Sequence, residues 1–386
     1  MAKCLYCGAN PVPHKLFWFE QTLNIILPDQ TWLYTTSLGL YFRRIGLALV
    51  SLLRIIGESL GIISYREELA KNSVARTRVL WEEANHRGLK METITIFGKP
   101  TDFFRVKITG KFNYFYIMPR PRGYNPQALL WMDDKYLLKQ RLKEKGLPVP
   151  EGDSFSNYDQ VLLFFRTIQK PAVVKPRLGS RGRHTTTFVY TEEQFKEAFR
   201  LAKQLCYWAV VEQHITGPVY RGTVIGGKLV GVLGGSPPQI TGNGQNTIKE
   251  LVELQNMNKH PKVKDIVITE VTHYFLQRNN LDVNSILPDG KTIDLTEKIG
   301  ISYGGSSFEI IDKTHLETRA MLEQAAKVVN DPMLGFDFIL QDIAKSYKEQ
   351  QCGIIECNAM PFINLHHDPL YGAPVNAAAA VWDLME

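Results

Sequence analysis

The hydrophobic pattern is most informative near the end of the chain, in residues 352–369. A short apolar run at 353–355 predicts a buried strand. Because side chains alternate across a strand, we expect Ile354, Glu356 and Asn358 to share one face. An ionised carboxylate is costly to bury without a partner. The pattern therefore indicates that a binding partner lies against the Glu356 face.

A second polar interruption occurs in the apolar run 334–340, where Asp337 is expected on the face opposite its apolar neighbours. On neighbouring strands, Asp337, Glu356 and Asn358 would form an open site of oxygen ligands. Mg²⁺ prefers such a site because it keeps waters and phosphates as further ligands. The alternative is a buried Asp or Glu that pairs with an Arg or a Lys, and at this point the pattern does not separate the two.

From residue 133 onwards the pattern predicts an α+β arrangement. We expect helices at 133–142 and 191–204, buried strands at 170–176 and 208–215, and a strand–turn–strand unit at 217–230. Upstream, residues 91–118 contain three short β-rich runs. The segment 119–123, rich in Pro and Gly, predicts a linker.

The most apolar stretch of the chain is Leu38–Ile63. Arg43, Arg44, Arg54 and Glu58 interrupt it, so no uninterrupted run approaches the roughly 18 apolar residues of a membrane span. We expect no transmembrane helix. An interfacial amphipathic helix is one interpretation, but a helix packed in the core or in a dimer is favoured.

Length and composition then limit the classes of protein. At 386 residues with 44% hydrophobic residues, the chain is long enough for two or three domains with their own cores. The net charge of +6 is modest. It is compatible with phosphate-bearing ligands and does not by itself indicate nucleic-acid binding.

Five scattered cysteines argue against a disulfide framework and for a reducing, cytoplasmic setting. Cys4-x-x-Cys7, with His14 after it, is a spacing also found in zinc sites. No second pair of this kind follows, so the sequence favours free thiols over zinc. Cys357 is expected to be a core thiol.

A basic loop with glycines, residues 177–183, follows Lys175 at the end of its strand. We interpret Lys175 as a phosphate ligand, with backbone N–H groups and an arginine of the loop closing over the anion. The alternative is a solvated hairpin. In the strand 208–215, Glu212 and backbone groups would hold an adenine edge, and the alternative there is an edge strand with charged ends. Arg221 is placed to brace a phosphoryl group or a carboxylate.

Taken together, these motifs resemble the ATP-grasp superfamily of carboxylate–amine ligases, and more narrowly the ATP-grasp domain of cyanophycin synthetases and fused glutathione synthetases. The resemblance runs from about Asp133 to Pro374. Its most specific segments are Thr241–Leu251, Tyr303–His315 and Glu356–Pro369.

The resemblance implies two α+β lobes that grip ATP, preceded by a mixed α/β domain. The domains would be 1–120, for substrate binding or oligomerisation, 121–215, with the glycine loop and the adenine hinge, and 216–386, with the magnesium ligands. It also implies ATP and Mg²⁺ as cofactors, an amino acid or peptide carboxylate and an amine as substrates, and a homo-oligomer. By position, the residues that contact ATP would be Lys135, Lys175, Gly179, Ser180, Arg181, Gly182, Glu212, Gln213 and Ile215. The magnesium ligands would be Asp337, Glu356 and Asn358, and the catalytic residues Arg221 and Lys175.

Some residues depart from the family pattern. Phe362-Ile363-Asn364 stands where relatives often have Gly-x-Arg, which removes an arginine clamp on the substrate. No Mur-ligase-like half follows before Glu386, so we expect no cyanophycin-type polymer.

Two other classes of function were weighed. A nucleotide-binding scaffold without catalysis is disfavoured, because the lysines and metal ligands are intact. Nucleic-acid binding is disfavoured because the arginines are split between a linker and a phosphate loop, with few aromatic residues between them.

Overall fold

The computed structural model of the chain describes residues 4–7, 11–26, 36–277, 279–296 and 298–386. The N-terminal part contains helix α1 (His14–Ile26), helix α2 (Ser37–Ser59) and helix α3 (Ala75–His86). It also contains an antiparallel sheet in the order β1 (Ile63–Arg66), β2 (Met91–Ile96), β3 (Lys99–Ile108) and β4 (Lys111–Tyr116).

A second antiparallel sheet lies in the middle of the chain. Its strands are β5 (Gly152–Phe155), β6 (Ala172–Pro176), β7 (Thr186–Val189) and β8 (Ala209–Gln213), in the spatial order β5-β8-β6-β7. The accompanying helices are α4 (Lys135–Lys143), α5 (Tyr158–Thr167) and α6 (Glu192–Ala202). Because β8 lies between two other strands, the edge-strand alternative for residues 208–215 is wrong.

The third and largest sheet has the order β13-β10-β9-β14-β15 and belongs to the C-terminal part. Its strands are β9 (Val219–Ile225), β10 (Lys228–Ser236), β13 (Ser306–Glu309), β14 (Met333–Leu340) and β15 (Cys352–Asn358). Helix α9 (Leu316–Val329) packs on β9 and β10, and its apolar face joins Phe336 and Phe338 in the main core.

A small unit extends from this sheet between residues 239 and 294. It pairs β11 (Gln239–Thr241) with β12 (Thr292–Asp294) and adds α7 (Ile248–Asn258) and α8 (Glu270–Gln277). The chain ends with a one-turn helix α10 (Asn364–His367) and helix α11 (Ala377–Asp383). Trp382 of α11 is fully buried against α3, so the C-terminus shares a core with the N-terminal sheet.

Helix α2 corrects one expectation from the sequence. Most of its large apolar side chains are exposed, and only Gly39 and Gly57 are buried. The helix is therefore not packed in the core of the chain, while its role in a dimer stays a prediction. Among the described residues, we find no helix with the length and hydrophobicity needed to cross a membrane, as expected.

Each described sheet lies within one of the three predicted domain ranges, and each range also contains helices. This is the predicted α+β class. The exact division into domains stays a prediction, because buried residues of the first and last ranges share one core.

Candidate active site

The start of helix α4 is fixed by its capping residue. The Asp134 carboxylate accepts hydrogen bonds from the backbone N–H groups of Tyr136 (2.9 Å) and Leu137 (3.1 Å), and it also pairs with Arg177. Arg177 follows β6 directly and begins the glycine loop. This cap therefore joins the first turn of α4, where Lys135 lies, to the loop behind Lys175.

Lys135 makes direct contact with the predicted phosphate loop. Its ammonium group donates a hydrogen bond to the carbonyl oxygen of Gly179. Burial and the nearby charge of Lys175 lower the pKa of Lys135, although the Glu356 carboxylate opposes this shift. The loop backbone is left-handed at Gly179 (φ 131°), Arg181 (φ 62°) and Gly182 (φ 62°). This hydrogen bond joins Lys135 to the loop that contains Gly179, Ser180, Arg181 and Gly182.

A buried cluster of charges lies beneath this loop. The Lys175 ammonium group is 2.5 Å from one Glu212 oxygen, and Lys139 bonds to the other. Burial lowers the pKa of Lys139 to about 7, even though Glu212 favours its charged form. Burial alone would raise the pKa of Glu212, but the two ammonium groups hold it below its ordinary value. Two lysines therefore share one carboxylate in the interior.

Lys139 was missed in the sequence. The signal for it is its position, one helical turn after Lys135, which places both side chains on the same face of α4. That face is turned toward β6 and β8, where Lys175 and Glu212 lie. Burial of two lysines at i and i+4 is uncommon, but the sequence alone does not show that this pair is buried.

The predicted adenine hinge lies at the end of β8. Both oxygens of Glu212 are engaged by lysines, the Gln213 side-chain amide donates to Gln169, and Ile215 is buried. A role for these residues in holding adenine stays a prediction, and it would rest on their backbone groups and on the buried Ile215 side chain.

Three charged residues stand side by side on neighbouring strands of the large sheet. Asp337 of β14 is directly opposite Arg221 of β9 and directly opposite Glu356 of β15. Arg221 holds the two Asp337 oxygens with its Nε and one terminal nitrogen, at 2.7 and 2.8 Å. Such a two-pronged contact is the strong form of an arginine–carboxylate pair. The sequence left open whether Asp337 pairs with an arginine or a lysine, and in the structure it pairs with Arg221.

A β-bulge in β15 corrects the predicted alternation of side chains. Asp337 is opposite Glu356, but the next residue of β14, Phe338, is opposite Ile354, so Ile355 is the extra residue. Ile354 and Cys357 are consequently both fully buried in the core beneath α9. Ile354 therefore lies on the face opposite Glu356, whereas strict alternation predicts that the two share a face. Cys357 is the core thiol that the sequence indicated, and burial raises the pKa of its thiol.

The polar face of β14 and β15 has a donor set that fits Mg²⁺. Glu356 and Asn358 are half-buried, and neither side chain has a hydrogen-bond partner among the described contacts. Asp337 keeps acceptor capacity beyond its two bonds to Arg221, since a carboxylate offers about four lone-pair sites. Oxygen donors on a partly open face suit a hard cation.

The two predicted halves of the site approach each other. Helix α4 packs against β15, and the backbone N–H of Ile354 donates to the carbonyl oxygen of Pro148 at 2.9 Å. The Glu356 carboxylate is close enough to influence both Lys135 and Arg221 electrostatically. Lys135 and the carboxylate of Glu356 therefore lie near one another across the contact between α4 and β15.

A second buried polar cluster lies on the same face of this sheet as Arg221, because Thr223 is two residues further along β9. The fully buried His366 contacts Glu309 through Nδ1 and the hydroxyl of Thr223 through Nε2, the latter at 2.8 Å. Glu309 also accepts a hydrogen bond from the backbone N–H of Val232. His366 thus joins the segment after β15 to strands β9, β10 and β13.

Comparisons with known proteins agree with this geometry. The family model described as "ATP-grasp domain" matches residues 132–361. The chain is 30% identical over 319 residues to the "Glutathione biosynthesis bifunctional protein GshAB" of Clostridium perfringens, covering 80% of this chain and 40% of that protein. It is also 30% identical over 259 residues to the cyanophycin synthetase of Trichormus variabilis, covering 65% of this chain and 29% of that protein.

Among solved structures, a bifunctional glutathione synthetase from Pasteurella multocida has a similar fold. The TM-score is 0.58 at 23% identity, over 81% of this chain and 43% of that chain. The chain spans less than half the length of each of these three proteins. The family match covers more than half of the chain, and the lysines, the loop and the carboxylates predicted from the sequence lie within it. We conclude that this chain belongs to the ATP-grasp family.

Proposed function

We propose that the chain is an ATP- and Mg²⁺-dependent ligase that joins a carboxylate of an amino acid or peptide to an amine. The observation that carries the proposal is that Lys135, which donates to the glycine loop, lies near Glu356, while Glu356, Asp337 and Arg221 stand next to one another on three neighbouring strands. The named relatives, a glutathione biosynthesis protein and cyanophycin synthetases, support the same class of reaction.

Each group has a role that follows from its charge. Lys135, Lys175 and the N–H groups of the glycine loop would bind the phosphates of ATP, and Mg²⁺ held by Asp337, Glu356 and Asn358 would neutralise their charge. Arg221, positioned by Asp337, would orient the γ-phosphoryl group as it moves. Phosphoryl transfer requires mainly such positioning and neutralisation of charge.

The proposed reaction has two steps. The substrate carboxylate attacks the γ-phosphorus of ATP, and ADP leaves, which gives an acylphosphate. The amine then attacks the acyl carbon, inorganic phosphate leaves, and the amine loses a proton to give the amide. The half-buried site would keep water away from the acylphosphate between the steps.

The reaction can be tested with hydroxylamine as the amine. Purified protein is incubated with ATP, Mg²⁺ and pools of amino acids and dipeptides, while ADP release and hydroxamate formation are measured. We expect both products only when a carboxylate and Mg²⁺ are present. ATP binding without ADP release from any pool or cell extract would contradict the proposal and favour a nucleotide-binding scaffold.

Two variants test the magnesium ligands. Glu356→Ala removes a predicted ligand and should abolish ADP release while circular dichroism and unfolding temperature stay close to those of the original protein. Glu349→Ala is the matched control, because Glu349 is an exposed glutamate in the turn just before β15. Retained turnover in Glu356→Ala would refute the assignment.

A cytoplasmic location and a homo-oligomer are the remaining parts of this proposal. The free cysteines favour the first, and the exposed apolar side chains of α2 favour the second. Light scattering of the purified chain measures its mass directly, and a monomer at all concentrations would contradict the oligomer.

A further inference from the structure

Four side chains that commonly bind metals converge at the N-terminal end of the described chain. Their ligand atoms, the sulfurs of Cys4 and Cys7 and one ring nitrogen each of His14 and His184, all lie within 4.8 Å of one another. Three of these residues are close in sequence, whereas His184 follows the glycine loop. The fold therefore adds the fourth ligand that the sequence pattern lacked.

The distances agree with tetrahedral coordination. Cys7 Sγ is 3.2 Å from His14 Nε2 and 3.5 Å from His184 Nε2, and Cys4 Sγ is also 3.5 Å from His184 Nε2. Ligand bonds of about 2.3 Å to sulfur and about 2.0 Å to nitrogen place the two atoms roughly 3.5 Å apart at a tetrahedral angle. A metal ion fits among these atoms with little movement of the side chains.

His184 is held in the orientation that a ligand requires. Its Nδ1 lies 2.8 Å from the carbonyl oxygen of Leu201, to which it donates a hydrogen bond, so Nε2 carries the free lone pair. Metal-binding histidines almost always have such a partner on the second nitrogen. The imidazole is 1% exposed, and its backbone N–H donates to the carbonyl oxygen of Tyr6.

Hydrogen bonds between thiols and imidazoles explain this arrangement less well. With Nδ1 donating to Leu201, His184 Nε2 only accepts, and one thiol proton satisfies it. The structure nevertheless directs the sulfurs of both Cys4 and Cys7 at this nitrogen. Neither cysteine is in a disulfide. Two cysteine sulfurs and two histidine nitrogens are a donor set of structural zinc sites.

We propose that Cys4, Cys7, His14 and His184 bind one structural Zn²⁺ ion, which ties the N-terminal segment to the glycine loop. This proposal departs from the interpretation of the sequence, which favoured free thiols. The site has four protein ligands and no open position, so its role is structural and not catalytic.

The site lies where it would control the loop. His184 comes directly after residues 177–183, and Phe17 of α1 lies 3.8 Å from the position that a Cβ atom would occupy on Gly179. Further along α1, the Thr22 hydroxyl accepts a hydrogen bond from the backbone N–H of Tyr207. A metal bound by His14, at the start of α1, and by His184, directly after the loop, would hold α1 and the loop together.

The first experiment measures metal in the full chain. After purification without chelators, we expect about one zinc per chain, and after exchange with Co²⁺ the visible absorption of a tetrahedral site with thiolate ligands. Cys7→Ser and His184→Ala should each lose at least about nine-tenths of the zinc. Cys352→Ser and His86→Ala, which change a cysteine and a histidine outside the cluster, should retain it.

The second experiment keeps the proposal testable if these variants fail to fold. A chelator is added to the unaltered chain, and hydrogen exchange is followed by mass spectrometry. Loss of the metal should speed exchange in residues 4–7, 11–26 and 177–185 and leave strands β14 and β15 unchanged. Zinc-free protein that is fully folded, or zinc that persists in both ligand variants, would overturn the proposal. Metal content does not depend on ligase activity, so this test stands apart from that of the proposed function.

Discussion

Replacement of Glu212 by glutamine tests the buried charge cluster of Glu212, Lys139 and Lys175. The side chains of Glu212, Lys139 and Lys175 are each less than 10% exposed, and both ammonium groups bond to the one carboxylate. Glu212→Gln leaves the lysines without this partner. Breaking a buried ion pair in this way costs about 3–5 kcal/mol, so we expect a loss of stability of that size.

The pH dependence of this loss has a definite sign. In the original protein the pKa of Lys139 is lowered from 10.5 to about 7, so below about pH 7 the folded and the unfolded chain both carry its proton. Without Glu212 the pKa of Lys139 falls further. Lys139 is then neutral in the folded variant at pH values where it is protonated in the unfolded chain. Stability of the variant then falls by up to about 1.4 kcal/mol for each pH unit below 7 relative to the original protein.

The assay is denaturant unfolding of both proteins at about pH 6 and about pH 9. Lys139→Met is the matched control, because it leaves Lys175 and Glu212 as a one-to-one pair and replaces a poorly solvated ammonium group by a methionine. We expect it to cost less than about 1.5 kcal/mol. An equal cost of Glu212→Gln at both pH values, or a cost of Lys139→Met as large as that of Glu212→Gln, would refute the reasoning.

Three further predictions concern the large sheet and the shared core. Arg221→Lys keeps the charge but loses the two-pronged contact with Asp337, so ADP release should fall by about 100-fold while urea unfolding changes little. His366→Leu leaves the buried Glu309 carboxylate without its imidazole and should lower the free energy of unfolding by about 3 kcal/mol, with an unchanged midpoint contradicting the pair. Trp382→Ala opens a cavity between the chain terminus and α3 and should cost about 3–5 kcal/mol in denaturant unfolding, whereas a cost under about 1 kcal/mol would show that this core is not shared.

Features that depend on local pattern were predictable. The strands carrying Lys175, Asp337 and Glu356 follow from apolar runs with a single polar interruption, and the structure forms each of them. That Asp337 and Glu356 are direct neighbours also follows, because consecutive strands of this kind commonly pair. The fold class was predictable for the same reason.

Features that depend on contacts between residues far apart in the sequence were not predictable. His184 joins Cys4 and Cys7 across 177 residues or more, and no spacing in the sequence signals it. The exposure of α2 also escapes the pattern, because an apolar helix is equally compatible with a core and with a surface that another molecule covers. The two-pronged pairing of Arg221 with Asp337 required the strand register, which residue types alone do not determine.

The bulge at Ile355 separates two demands on one strand. Upstream of it the even-numbered residues Cys352 and Ile354 face the apolar interior, whereas downstream of it the even-numbered residues Glu356 and Asn358 face the charged side. The extra residue thus lets Ile354 and Glu356, two positions apart in the sequence, serve opposite faces of the same strand. Deletion of Ile355 should therefore leave the pairing intact, because a regular ladder then keeps Ile354 opposite Phe338 and Glu356 opposite Asp337.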